Sequence, residues 1–237
     1  MIIRRLATSI REQDWVTVVI ETLIVMFGVL LGLQVNNWNS ARVERAELVG
    51  LIERLKTDFA ETEPVIETNY ERIALAADQT AQLIDYLRTT DEVPEDEDIL
   101  MIVEAPGRLA ALPAVSATYQ EMLSTGSLAR IKSEELRSAL NSYAQNAEYF
   151  RTNSEAALQA MFLSPNEHTI LSAMELSTDF EASLTESSVM SFDWSELQAA
   201  EPQIYAILIY QMTLSVTAKA QLNQVREIQR LLEEESQ

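Results

Sequence analysis

Residues 21–39, ETLIVMFGVLLGLQVNNWN, form a nearly unbroken apolar run that opens on a carboxylate, carries two glycines four apart and stops at three asparagines around a tryptophan. A helix rises about 1.5 Å per residue and a bilayer's hydrocarbon core is about 30 Å thick, so about 20 mostly apolar residues are needed to cross it. Val16 to Val35 supply such a run. Its flanks agree, because Trp15 and Trp38 fall about 34 Å apart along a helix, the separation of the two headgroup layers where amphipathic rings collect. Asn36, Asn37 and Asn39 then place amides where water begins. A cleaved export signal has an apolar stretch of only about 7 to 15 residues and ends in small residues, whereas this run ends in bulky amides and Trp38. The reading is a retained transmembrane helix over 16–35 behind a short basic segment, 1–15.

Orientation rests on the flanking charges. Arg4, Arg5 and Arg11 crowd the first segment, while Arg42, Arg45, Arg54 and Lys56 follow the span among many acids. A short basic N-terminus before one span stays inside, and a long following domain crosses regardless of its charge. The expectation is an N-terminus in the cytoplasm and a C-terminal domain outside it, an orientation that the resemblance given below places in the bacterial inner (cytoplasmic) membrane. The opening MIIRRLATSIREQDW is expected to form a short amphipathic helix on the inner surface.

Composition bounds the rest. A formal net charge of −20 opposes binding to nucleic acid, whose affinity comes from Lys and Arg displacing counterions. The chain has no cysteine, which removes disulfides, thiolate nucleophiles and Cys-ligated metals. With only five glycines and six prolines against abundant Ala, Leu, Glu and Gln, the balance is that of long helices.

The apolar spacing supports an all-α fold: one transmembrane helix continuing into an elongated antiparallel helical bundle. Leu48, Ile52, Leu55, Phe59, Thr62, Ile66, Ile73, Thr80, Leu83 and Leu87 recur at three and four, the seam of a packing helix of the coiled-coil kind over 36–88. Pro64 either opens a second helix or lies within one, and the phase continuing across it favours a kinked single helix. Residues 89–115 read as an irregular acidic connection containing three prolines. Its cluster from Asp91 to Asp98 lacks the order of a calcium loop, and Ile99 to Val103 and Leu109 to Val115 read as segments draped over the helices. The helical domain resumes over 116–237. Ser116 caps a short helix that Gly126 closes in the left-handed conformation, and Ser133, Glu134 and Glu135 start the next. Pro165 interrupts that region, and LTESSVMSFDW reads as loop. Behind Pro202, the positions Ile204, Ile207, Leu214, Ala218, Val225, Ile228 and Leu232 make a second seam, expected to pair antiparallel with the first.

The span exit GVLLGLQVNNWN, the block SATYQEMLSTGSLARIKSEELRSAL and the long closing helix together resemble a family of uncharacterised bacterial single-pass membrane proteins. Members share an NNWN-like exit and a Y-x-x-L-x-x-S/T-G-x-L-x-x-I turn. The resemblance implies an envelope location and a helical extramembrane domain, and brings no catalytic residue.

For chemistry, Glu21 stands out, because a carboxylate inside a span is costly unless it meets protein or water. It is in phase with Val25, Gly28 and Gly32, and glycines four apart let helix backbones approach closely, so this stripe reads as a self-association face. His168 has no nucleophile elbow or oxyanion turn beside it in sequence. Glu-x-x-His pairs, phosphate loops and cofactor fingerprints are absent from the sequence, and no enzyme activity or cofactor is expected. Arg130 and Lys132 read as surface cations. Tyr119, Tyr143, Tyr149 and Phe150 read as core aromatics, with a pocket lining as the other use. The favoured function is a membrane-anchored interaction or scaffold protein whose partners are the lipid bilayer, further copies of itself and an unidentified membrane protein. The alternatives are an extracytoplasmic ligand-sensing bundle acting through a partner, and ion or proton conduction through Glu21.

Overall fold

A computed structural model describes residues 15–109, 111–162, 169–177 and 187–235. The opening basic segment, Pro165 and His168 therefore lie outside the described residues, except for Trp15 at the start of the first helix. Contacts divide the chain into two compact units, Met1–Gly50 and Leu51–Gln237.

Helix α1 spans Trp15–Thr89, and all that is described of the first unit belongs to it. Its early part is long and apolar enough to cross a membrane, and none of that stretch is buried by protein. Every residue from Val19 to Ser40 is exposed, including Phe27, Leu31 and Trp38. Exposure of so many consecutive large apolar groups is unfavourable in water and neutral in lipid.

In the second unit the periodic apolar positions become a core. Ile52, Leu55, Phe59, Ile66, Ile73, Thr80, Leu83 and Leu87 of α1 are buried. So are Ile204, Ile207, Leu214, Ala218, Val225, Ile228 and Leu232 of the closing helix, which spans Glu201–Glu235. Each fully buried aliphatic side chain contributes about 1.5–3 kcal/mol against chain entropy. The two helices are antiparallel. Gln229 meets Phe59, Arg226 meets Glu63 and Glu67, Lys219 lies over the Tyr70 ring, and Arg88 pairs with Glu201. Each advance along α1 is matched by an equal retreat along its partner, as antiparallel packing demands. Pro64 sits inside α1, so the alternative in which it opens a second helix does not occur.

Between these helices the chain forms α2 (Ile99–Glu104) with a 3-10 turn over Ala105–Gly107, α3 (Ala117–Thr125) with a 3-10 turn over Ser127–Arg130, and α4 (Glu134–Phe162). There follow strands β1 (Met174–Leu176) and β2 (Val189–Phe192), then α5 (Trp194–Ala199) and the closing helix, α6. The local signals act as their chemistry requires. Ser116 Oγ accepts from the Tyr119 N–H at 3.1 Å, Ser133 Oγ accepts from Leu136 N–H at 3.1 Å, and Gly126 ends α3 at φ +74°. At the start of α4 the Glu235 carboxylate, from the far end of α6, accepts the Lys132 and Ser133 N–H groups at 2.8 and 3.1 Å. An anion at the positive end of a helix is favourable, and the contact sets α4 antiparallel to α6.

Two readings are corrected. The connection over 89–115 is not irregular throughout: Ile99–Glu104 is helical, and its Ile102 and Val103 are buried among Leu83, Ile84, Trp194 and Ile204. The stretch read as loop contains β2, which pairs antiparallel with β1 through Met174↔Phe192 and Glu175↔Ser191, with an irregularity at Glu175/Leu176. Asp193 then caps α5 by accepting from the Glu196 N–H at 3.1 Å. The hairpin exists because Val189 enters the same core as Ile170 and Ala173. Burial of one residue fixes the register of so short a pair.

Candidate functional site

The residues singled out in the span all lie on the surface of α1. Glu21, Val25, Gly28 and Gly32 are exposed, as are Asn36, Asn37, Trp38 and Asn39. A Cβ added at Gly28 or Gly32 would meet nothing within 4 Å. Glu21 borders a shallow depression with Thr22, Val25 and Met26. Trp15 lies in the first turn of the helix.

The concave features of the second unit gather along α4. One cavity of about 560 Å³ lies between the extended segment after Leu109 and the α4 residues Phe150, Arg151, Ser154 and Leu158. Another, about 680 Å³, lies between α4 and α6 and is walled by Tyr149, Phe150, Ile209 and Val216. Both volumes are in the range of small-molecule sites. The two share Phe150, Ser154 and Tyr210.

The cavities differ in charge. Arg151 stands at the first, its guanidinium pinned by Glu148 and Glu155 at 2.7 Å each. The hydrogen bond to Glu148 leads the causes that raise the Arg151 pKa, and the same bond lowers that of Glu148. This cation is fully employed by its own helix. Among the described residues, acid, base and cation alike are missing from the lining of the second cavity. Thr213 and Thr217 line it too, their hydroxyls donating to the Ile209 and Thr213 carbonyls at 2.9 and 2.8 Å.

Four buried side-chain atoms at the second cavity have no hydrogen-bond partner: Ser154 Oγ, both polar atoms of Gln221, and Gln224 Oε1. Gln221 is only 1% exposed. Elsewhere on α6, Gln211 is fully buried but employed, its Nε2 donating to the Ala105 carbonyl at 2.9 Å and the Arg108 carbonyl at 3.3 Å. One buried glutamine thus holds the 3-10 turn, while the other has no protein partner.

The four aromatics of the sequence reading divide. Tyr119 and Tyr143 are core residues. Tyr143 packs edge-on to Phe59 with ring centroids 5.4 Å apart, and burial pushes its phenol up to about 12. Tyr119 donates from its hydroxyl to Asn141 Oδ1 at 2.9 Å, and burial raises its pKa too. Phe150 lines both cavities, and Tyr149, 74% exposed, forms the rim of the second. Arg130 is exposed and Lys132 is exposed.

A further polar cluster ties β2 to α2. Glu104 accepts from Ser188 Oγ and from the Ser188 N–H at 3.2 Å, and pairs with Arg108 at 2.9 Å. Burial pushes the Glu104 carboxyl up, but the bonds from Ser188 and Arg108 outweigh it and hold the group below the ordinary glutamate value. No local pattern marks this cluster, in which Glu104 and Ser188 lie 84 residues apart. Among the described residues there is no group of three or more His, Asp or Glu side chains placed to hold a metal ion. Comparison of the chain with protein-family models, curated proteins and solved structures finds no match.

Proposed function

We propose that the protein is a membrane-anchored helical interaction or scaffold protein of the bacterial inner membrane. Residues 16–35 cross the bilayer once with the N-terminus in the cytoplasm, the bundle beginning at Leu51 is extracytoplasmic, and copies associate along the stripe of Glu21, Val25, Gly28 and Gly32. The observation that carries the reading is the wholly unburied apolar stretch of α1, whose large side chains have no cover from the described parts of the chain. Lipid satisfies that surface. Self-association is supported by the open backbone at Gly28 and Gly32, where a second helix can approach closely, and by Glu21 on the same stripe, which gains a polar neighbour when helices pack. The net charge of −20 sets nucleic acid aside as a partner.

Crosslinking of the full chain in mild detergent and in lipid nanodiscs tests this. Wild type is expected to give a discrete oligomer that Gly28→Ile and Gly32→Ile disperse, while Leu30→Ile, on the opposite face of the helix, leaves it intact. A monomeric wild type, or equal effects on both faces, contradicts the assembly mode. Reporter fusions at Gln237 read sidedness separately: activity only of a cytoplasm-specific reporter contradicts the orientation.

A further inference from the structure

Buried polar groups in folded proteins almost always have partners, and those without one mark a place where something else supplies it. Seven buried side-chain atoms are unpartnered among the described residues, and four of them, on Ser154, Gln221 and Gln224, belong to the wall of a single cavity between α4 and α6. Gln221 is the sharpest case, because a primary amide offers two donors and an acceptor and here uses none of them in the protein.

A single bridging water does not fill the cavity. Its volume of about 680 Å³ exceeds by about twentyfold the share of liquid volume belonging to one water molecule. Apart from Asn146 the rim is largely apolar: Ile209 is 52% exposed, Val216 71% and Tyr149 74%. Its threonine hydroxyls are already spent on main-chain carbonyls of their own helix. The complement of such a wall is a molecule with an apolar body and one polar head. Charge then narrows the class. Among the described residues the lining holds no cation to pair an anionic head and no carboxylate to pair a cationic one, and burying an unpaired charge is far more costly than burying a hydrogen-bonded neutral group.

We infer that the α4–α6 cavity is a binding site for an uncharged amphiphile whose head both donates and accepts hydrogen bonds, a carboxamide or alcohol, seated on Gln221 with its apolar body between Tyr149, Phe150, Ile209 and Val216. The floor groups are shielded from water by that apolar rim, so the head enters between the Tyr149 and Phe150 rings and exchanges its own hydration for the amide of Gln221. Ser154, shared with the neighbouring cavity, offers the second contact.

The test uses the full chain in lipid nanodiscs and a decanamide carrying a photoreactive diazirine in its chain. Saturable labelling is expected within 146–154 and 206–224. Unlabelled decanamide should compete at least tenfold better than decanesulfonate or decyltrimethylammonium, which share the chain and carry permanent charges. Gln221→Leu should lower labelling about tenfold without lowering Tm, and Ala220→Trp, which fills the groove from its exposed side, should abolish it. Equal competition by the charged homologues, labelling confined to 19–35, labelling indifferent to both variants, or no saturable labelling at all would each overturn the site.

Discussion

Gln229 of α6 donates from its Nε2 to the main-chain carbonyl of Phe59, 3.1 Å away, in the turn that Pro64 disturbs. Proline lacks the N–H that would reach the Ala60 carbonyl, and its ring crowds the turn before it. The closing helix answers at this level of α1 and on both sides of the proline. Arg226 donates through Nε to Glu63 at 2.6 Å and through Nη2 to Glu67 at 2.9 Å. A helix-breaking residue is thereby held within a continuous helix by side chains more than 150 residues away in sequence. Gln229→Leu is expected to cost about 1 kcal/mol by removing a net hydrogen bond and leaving the carbonyl less well satisfied. In a Pro64→Ala background the same substitution should cost less, a coupling that chemical denaturation of the four chains would read as a double-mutant cycle.

The Arg226 contacts carry a pH dependence of defined sign. The hydrogen bond from Arg226 leads the causes that hold the Glu63 carboxyl below the ordinary glutamate value. A depressed folded pKa contributes stability above the unfolded value, and that contribution disappears as pH falls through the folded one. Arg226→Met should therefore lower Tm at pH 7, and the gap between variant and wild type should close in acid below the Glu63 pKa. Both groups are largely solvated, so the effect is small and weakens with salt. A gap that widens in acid would reverse the assignment.

Gly126 and Gly50 should respond oppositely to alanine. Neither would bring a Cβ within 4 Å of another atom, so the backbone alone decides. Gly126 sits at φ +74°, where a Cβ costs about 1–2 kcal/mol. Gly50 lies inside α1, where alanine gains about 0.5–1 kcal/mol. Urea unfolding of both variants measures the pair, with Gly126→Ala destabilising and Gly50→Ala stabilising.

Gln221→Leu should stabilise the bundle by about 1–3 kcal/mol, the usual cost of a buried polar group without a partner. Gln211→Leu should destabilise it by a similar amount, because the Arg108 carbonyl loses the amide donor and the Ala105 carbonyl is left with the Arg108 N–H alone. Calorimetry on the two variants separates a glutamine that holds the fold from one that does not.

These contrasts show what the sequence discloses and what it conceals. The seams of α1 and α6 were legible because a helix buries positions three and four apart, and every residue named for α6 is in the core. The caps at Ser116, Gly126 and Ser133 were legible because each acts within four residues. Gln211 and Gln221 occupy the same seam but do not stand out in it, since an apolar template reads an amide as a gap. The hairpin was hidden by its length: strands of three and four residues carry no period, and only the pocket that receives Val189 makes them strands. Helix α2 was hidden likewise, six residues between prolines with its partners on α1 and α6. The cavities have no local signal, because their walls join segments distant in sequence, the stretch after Leu109 with α4 in one and α4 with α6 in the other.

The account depends most on the apolar start of α1 living in lipid. Membranes from cells making the full chain, washed with alkaline carbonate, measure this directly. The account predicts intact protein in the pellet, and release of a variant in which Leu23, Phe27 and Leu31 are replaced by Lys. Intact wild-type chain recovered wholly in the wash would contradict it.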